Sequence, residues 1–400
     1  MRAGPTAAIA LVAALLGGGA ALVAASLGGY LGHGSETVIV REQAPVGDVG
    51  RPVVVAKPLA GNGFEPAQIF ARRAPGVVTI LSYFDGPGAA SGQAGQGSRF
   101  VVSRDGVVLT NAHVVTTAGQ GGATERARTL YVQFADGDRV PARIVGADLF
   151  DDVAVVRVDP RLHAVRPVPL GRSASVVVGQ PVAAIGSPFG NTDSLTVGVV
   201  SAVRRSIPSL TTRYDLIDAI QTDAPINHGN SGGPLFDARG RVIGINAQIR
   251  STGSGSGFDG VGFAVPIDSA RRSLDQILLG GSVRYAYLGI ETDDLTPAVA
   301  HRFGYAAPRG ALVVRVVPGT GAAAAGLRAG ARLASFRGLG VHVGGDAIVA
   351  IDGIAVRSAE DVVRIVATRL VPGERARFSL VRGSTHREVS VTLGVRPPAG

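Results

Sequence analysis

The sequence predicts a mainly β protein: an antiparallel barrel or sandwich, followed by a smaller domain that mixes short strands with a helix. Three observations predict this. Short Val- and Ile-rich runs recur through the first half, and turn dipeptides join several of them. No long helical period separates those runs, which argues against a parallel sheet with crossover helices. Around residue 268 the period changes to a helical one that stops at Gly280-Gly281, a natural helix C-cap and domain boundary.

The elements follow in chain order. From Thr6 to Leu31 the chain carries no charge and exceeds the roughly 20 residues that span a bilayer. With Arg2 before it, residues 1–32 read as a transmembrane signal-anchor helix with the N-terminus inside. A cleaved signal peptide, cut after Ala24-Ala25-Ser26, is the competing reading. Residues 33–64, rich in Pro, Gly and Val, read as a linker. Strands are expected at 77–80, 100–102, 107–109, 130–134, 153–156, 182–185 and 242–245. The turn signals are Arg104-Asp105-Gly106, Ala135-Asp136-Gly137-Asp138 and Ala238-Arg239-Gly240. Two Gly/Ser/Ala tracts, 86–97 and 251–257, read as surface loops. A helix over 268–279 closes a first domain spanning 65–280. The second domain, 286–396, contains a helix near Ser358–Thr368.

Composition narrows the function. The chain has 400 residues, 46% hydrophobic and 17% charged, enough for a sizeable core. The net charge of +9 comes almost wholly from scattered arginines, with Lys57 the only lysine, so it does not mark a nucleic-acid surface. Without cysteine there are no disulfides, no thiolate metal sites and no cysteine nucleophile. No nucleotide loop or metal-ligand cluster is visible, and neither a cofactor nor a metal is expected.

One stretch organises the rest: Gly229-Asn230-Ser231-Gly232-Gly233-Pro234 places a serine among glycines. Glycine tolerates the tight backbone that turns the amides of Gly229 and Ser231 toward a developing oxyanion. A serine hydroxyl is a weak nucleophile unless a base takes its proton, so Ser231 needs a histidine and an orienting acid. Of seven histidines, His33 abuts the apolar N-terminus, and His301, His342 and His386 lie in the second domain. His163 follows the turn Asp159-Pro160-Arg161 and reads as a solvated side chain; His228 is too close to Ser231 along an extended chain. His113 remains, in Leu109-Thr110-Asn111-Ala112-His113-Val114-Val115 at the end of a strand. The acid opens an apolar strand in Asp151-Asp152-Val153-Ala154: Asp152 is the choice and Asp151 the runner-up.

Together TNAHVV around His113, DDVAVV around Asp152 and GNSGGP around Ser231 resemble the HtrA/Deg family of chymotrypsin-like serine proteases. The similarity runs on through Gly186-Ser187-Pro188-Phe189-Gly190, Gln221-Thr222-Asp223-Ala224 and Val261-Gly262-Phe263-Ala264-Val265-Pro266. The resemblance implies two six-stranded β-barrels with the triad in the cleft between them. Ser231 would be the nucleophile, His113 the general base and acid, Asp152 the orienter, and the amides of Gly229 and Ser231 the oxyanion hole. Arg99 departs from the family, which often has glycine there, and His228 replaces a common proline or arginine.

The second domain resembles a PDZ domain. Its Tyr287-Leu288-Gly289-Ile290 matches the carboxylate-binding loop, where a peptide C-terminus would be held while the peptide adds as a strand. Residues 332–343 look inserted relative to the shortest such domains. The resemblance implies a bacterial, single-pass membrane protein with both domains outside the cytoplasm, acting on unfolded protein or peptide substrates as a homotrimer. By analogy with digestive relatives, the position that selects basic residues is six before the serine. Here it is Pro225, so small or medium aliphatic side chains are expected at the cleaved position. Two rivals are weighed. An α/β-hydrolase shares the G-x-S-x-G pattern, but its acid and histidine follow the serine, and here both precede it. A non-proteolytic chaperone or adaptor would hold clients through the PDZ groove alone.

Overall fold

The computed structural model describes residues 63–84, 93–119, 124–186, 194–227, 230–247 and 260–398. The expected membrane segment and nearly all of the linker lie outside these residues, as do the 251–257 tract, His228 and Gly229. Among the described residues no helix is long and apolar enough to cross a membrane.

A short helix, α1 (Pro66–Arg73), precedes the first barrel, with proline in its first turn and Arg72 and Arg73 in its last. The barrel is built from β1 (Val77–Phe84), β2 (Gln93–Val101), β3 (Val107–Thr110), then one helical turn, α2 (Ala112–Val115), and β4 (Thr129–Gln133), β5 (Arg139–Asp148) and β6 (Val153–Val158). Every pairing is antiparallel, and the sheet closes in the order β1-β2-β3-β6-β5-β4. Closure leaves no edge to mispair. A second closed barrel, β10-β11-β12-β9-β8-β7, follows. Its strands are β7 (Pro181–Gly186), β8 (Ser194–Pro208), β9 (Asp215–Thr222), β10 (Pro234–Asp237), β11 (Val242–Ala247) and β12 (Gly262–Pro266). One apolar cluster joins both barrels to helix α3 (Ile267–Gly280): Phe100, Leu109 and Val155 from the first, Ile185, Phe236 and Ile245 from the second, Leu274 and Ile277 from α3. Gly281 ends α3 at φ 72°, the left-handed cap that the Gly-Gly pair predicts.

The second domain begins with β13 (Ala286–Tyr287), then β14 (Ile290–Leu295), α4 (Pro297–Phe303), β15 (Gly310–Val316) and α5 (Gly321–Ala324). There follow β16 (Arg332–Phe336), β17 (Leu339–Val343), β18 (Ala347–Ile351), β19 (Ile354–Ala355), α6 (Ala359–Arg369), β20 (Arg375–Arg382), β21 (Thr385–Thr392) and β22 (Gly394–Val395). The main sheet runs β14-β15-β18-β20-β21, and β13 pairs with β22. The apparent insertion 332–343 is the β16–β17 hairpin, turned by Arg337 (φ 51°) and Gly338 (φ 80°).

One expectation is corrected here. Residues 93–97, read as the end of a low-complexity loop, are strand: β2 pairs with β1 from Phe84↔Gln93 to Val77↔Phe100. Strand pairing uses backbone groups, and glycine is placed where another backbone presses close. A Cβ on Gly95 would lie 3.2 Å from the Val114 carbonyl oxygen, and one on Gly97 3.0 Å from that of Ser231.

Candidate active site

His113 sits in the single turn α2, just after β3, and Asp152 precedes β6, the strand that pairs with β3. Adjacent strands therefore deliver both residues to the same end of the first barrel. His113 Nδ1 lies 2.7 Å from Asp152 Oδ2, and the His113 amide donates to Oδ1 at 3.0 Å. The Asp152 carbonyl accepts from Asn111 Nδ2 at 2.9 Å and from the Ala112 amide at 3.2 Å. This net holds Asp152 at φ 51°, a left-handed conformation that costs a non-glycine residue on the order of 1 kcal/mol. The imidazole side chain is 20% exposed and the carboxylate 6%. With Nδ1–H turned to the carboxylate, Nε2 is left with its lone pair, the tautomer a proton acceptor needs.

Ser231 lies in the loop between β9 and β10, buried at 7% exposure. Its carbonyl accepts from the Ser98 amide at 3.1 Å, and the amides of Gly232 and Gly233 donate to the Asn246 and Asn230 carbonyls at 2.8 and 2.9 Å. Gly232 has φ 81°, and a Cβ there would meet the Ser98 carbonyl oxygen at 2.5 Å and Thr110 Oγ1 at 2.8 Å. Gly95 faces the carbonyl of Val114, next to His113, and Gly97 that of Ser231, so one side of β2 carries both partners two residues apart. Among the described residues Ser231 Oγ has no hydrogen-bond partner: the structure joins acid to imidazole and leaves imidazole and hydroxyl unjoined. Gly229, expected to supply an oxyanion amide, lies outside the described residues.

Asp151, the runner-up acid, bonds no imidazole; burial and the charge of Asp148 push its carboxyl up to about 6. His163 is not a freely solvated side chain. Its side chain is 19% exposed, stacks on Phe134 with ring centroids 3.7 Å apart, and bonds Asp136 at 2.9 Å. The flat ring of Phe134 shields it from water, which the turn upstream did not signal. Sequence reasoning also missed Asn111 and Ser98, whose partners lie across barrel strands. The alternation Gly95-x-Gly97 was the one local sign that β2 is closely approached.

Tyr287, Leu288, Gly289 and Ile290 join β13 to β14. Gly289 has φ 80°; its carbonyl accepts from the Val317 amide at 2.8 Å, and that of Leu288 from Ala322 at 3.2 Å. Leu288 is buried with Val362, Ile365 and Val366 of α6. Asp294 Oδ1 accepts from the Ala359 amide at 2.7 Å, tying β14 to the start of α6.

Paired antiparallel barrels, an acid–imidazole pair at the mouth of the first and a serine among glycines in the second define the trypsin-like peptidase class, here extended by a PDZ module. Comparison agrees at both levels. The trypsin-like peptidase domain family matches residues 95–245 and the PDZ domain family residues 286–393. The chain is 40% identical over 301 residues to a probable periplasmic serine endoprotease DegP-like of Halomonas elongata, covering 75% of this chain and 56% of that protein. It is 35% identical over 308 residues to a putative serine protease HhoA of Synechocystis, covering 75% of this chain and 70% of that one. The solved HtrA-type protease AlgW with tripeptide superposes with a TM-score of 0.67 at 32% identity, covering 83% of this chain and 97% of that one. The chain belongs to the HtrA/Deg family of serine proteases, although it spans just over half the length of the DegP-like relatives it matches.

Proposed function

We propose that the protein is a serine endopeptidase. His113 Nε2 takes the Ser231 Oγ proton as the oxygen attacks the scissile carbonyl, and passes it to the leaving amine. His113 then deprotonates the water that hydrolyses the acyl-enzyme, while Asp152 keeps the ring oriented and balances its cationic form. The amides of Gly229 and Ser231 receive the oxyanion, each donor being worth roughly 3–4 kcal/mol of barrier. The observation that carries this reading is the 2.7 Å His113–Asp152 bond with the Ser231 loop seated on the same strand as α2. Because Ser231 Oγ is unjoined, the last link closes only with substrate, as in enzymes whose site is completed on binding.

Substrates are unfolded proteins or peptides outside the cytoplasm, recognised by the Tyr287–Ile290 loop and the β14 edge, and the protein itself is anchored in the membrane through its apolar N-terminal segment. The family supports a homotrimer. Ala224 and Ile226 are buried beside Pro225, and a Cβ on Gly262 would touch Ile226 Cγ1 at 2.7 Å, which supports a preference for small or medium aliphatic residues. Fluorophosphonate treatment should label Ser231, and Ser231→Ala should abolish both labelling and casein cleavage. Label on another residue, or casein cleavage that persists unchanged in Ser231→Ala, would sink the assignment, and no cleavage by either protein would leave only the adaptor reading.

A further inference from the structure

Asp148 and Asp151, just upstream of Asp152, are buried yet take no part in the triad described above. Asp148 Oδ2 accepts from Ser273 Oγ of α3 and from Tyr285 Oη, each at 2.6 Å. Its Oδ1 accepts from the amides of Phe150 at 3.0 Å and Asp151 at 3.4 Å. Burial raises the pKa of this carboxylate, and the four donors that converge on it pull the other way, each favouring the charged form. Asp151 is poorer: Oδ2 has no hydrogen-bond partner among the described residues, and Arg272 Nη2 is 3.9 Å away.

The donors matter because of where they come from. Tyr285 leads into the PDZ domain, and Arg396 follows its last strand, β22; the Arg396 amide donates to the Tyr285 carbonyl at 2.9 Å. The Arg396 guanidinium lies over Phe150, Tyr214 and Tyr285, 5.2, 5.3 and 5.1 Å from their ring centroids. Phe150 meets the Tyr285 ring edge-on at 5.2 Å. Entry and exit of the PDZ domain thus both close on the turn 148–152, which ends in the left-handed Asp152. Such a backbone persists only where its surroundings over-determine it, and a 1 Å misplacement near a reacting group can cost about 100-fold in rate.

We propose that Tyr285 and Arg396 are positioning residues, and that the two ends of the PDZ domain grip the turn that presents Asp152 to His113. The proposal rests on the reading of Asp152 as the orienting acid. The junction then sets the chemical step, separately from any peptide held in the PDZ groove.

The test uses the full chain and a short chromogenic peptide amide with no free carboxylate for that groove. Tyr285→Phe keeps the ring in its stack and removes only the phenol hydroxyl. It should lower kcat about tenfold with KM within about twofold. The groups facing the pair are Tyr285, Arg272 and Arg396. Losing the phenol donor makes Asp148 easier to protonate, so the acid limb of the kcat profile should also move to higher pH. Arg396→Met tests the other end and should lower kcat in the same way. An unchanged kcat and pH profile in both variants, with only a lower melting temperature, would overturn the proposal and leave the junction as mere cement. If Tyr285→Phe does not fold, kcat of Arg396→Met decides alone. Failure of the protease reading is seen separately, as wild-type protein that takes no fluorophosphonate label on Ser231.

Discussion

At the scale of single residues, the imidazole owes its orientation to one carboxylate. Asp152→Asn would offer Nδ1 an amide in place of an anion and favour the wrong tautomer. A loss of about 10⁴ in kcat is expected with little change in KM, measured on a peptide amide. Arg99 presents the opposite problem. Its side chain is fully buried, Nη1 donates to the Ser98 carbonyl at 2.8 Å, and Nε and Nη2 have no partner among the described residues. Burial lowers its pKa well below the ordinary value, which records how poorly the site holds the charge. Arg99→Met keeps much of the volume and removes the buried cation, so a gain of about 1–3 kcal/mol is expected in urea unfolding. His113, Asp152 and Ser231 were legible because each sits in its own local string. Asn111, Ser98 and the burial of Arg99 were not, because their partners arrive from strands far away in sequence.

At the scale of elements, β2 carries the most. It pairs with β1 and β3, and its glycines accept both the α2 carbonyl and the Ser231 loop. Gly232→Ala would strain the positive φ and drive a methyl into the Ser98 carbonyl, 2.5 Å from the new carbon. A destabilisation of more than about 2 kcal/mol is expected in urea titration, together with slower labelling of Ser231. The helices were readable from period and caps: 268–279 was expected against α3 at Ile267–Gly280, and Ser358–Thr368 against α6 at Ala359–Arg369. Ser358 Oγ caps α6 by accepting from the Asp361 amide at 3.2 Å. By contrast β8 escaped notice. It runs from Ser194 to Pro208, mostly exposed or half-buried, with register shifts against β9 and Arg204 at φ 58°, so the alternation of Leu195, Val197 and Val199 is not carried through its second half. Helix α1, short and with Ile69 as its one buried side chain, left too weak a period to see.

At the scale of the whole molecule, the PDZ domain also touches the protease away from the junction strands. Arg364 of α6 donates to Asp218 of β9 at 2.6 Å and to Asp361 at 2.6 Å. The buried acids nearer the triad give stability a pH dependence. Asp151 titrates at about 6 against an ordinary 3.8, so the folded chain binds this proton more tightly than the unfolded one. Stability should therefore fall as pH rises from about 4 to about 6 and then level off, by on the order of 3 kcal/mol from this group. Urea midpoints at pH 5 and pH 7 would show it, and Asp151→Asn should flatten the difference.

The division of the reactive groups between two barrels has a consequence for the chain before it is folded. Imidazole and acid belong to the half that leaves the ribosome first, while the hydroxyl waits in a loop between strands of the later half. A partly synthesised chain can assemble a base with nothing to activate. On the proposed reading, the power to cut would arrive only when the second cylinder closes against the first.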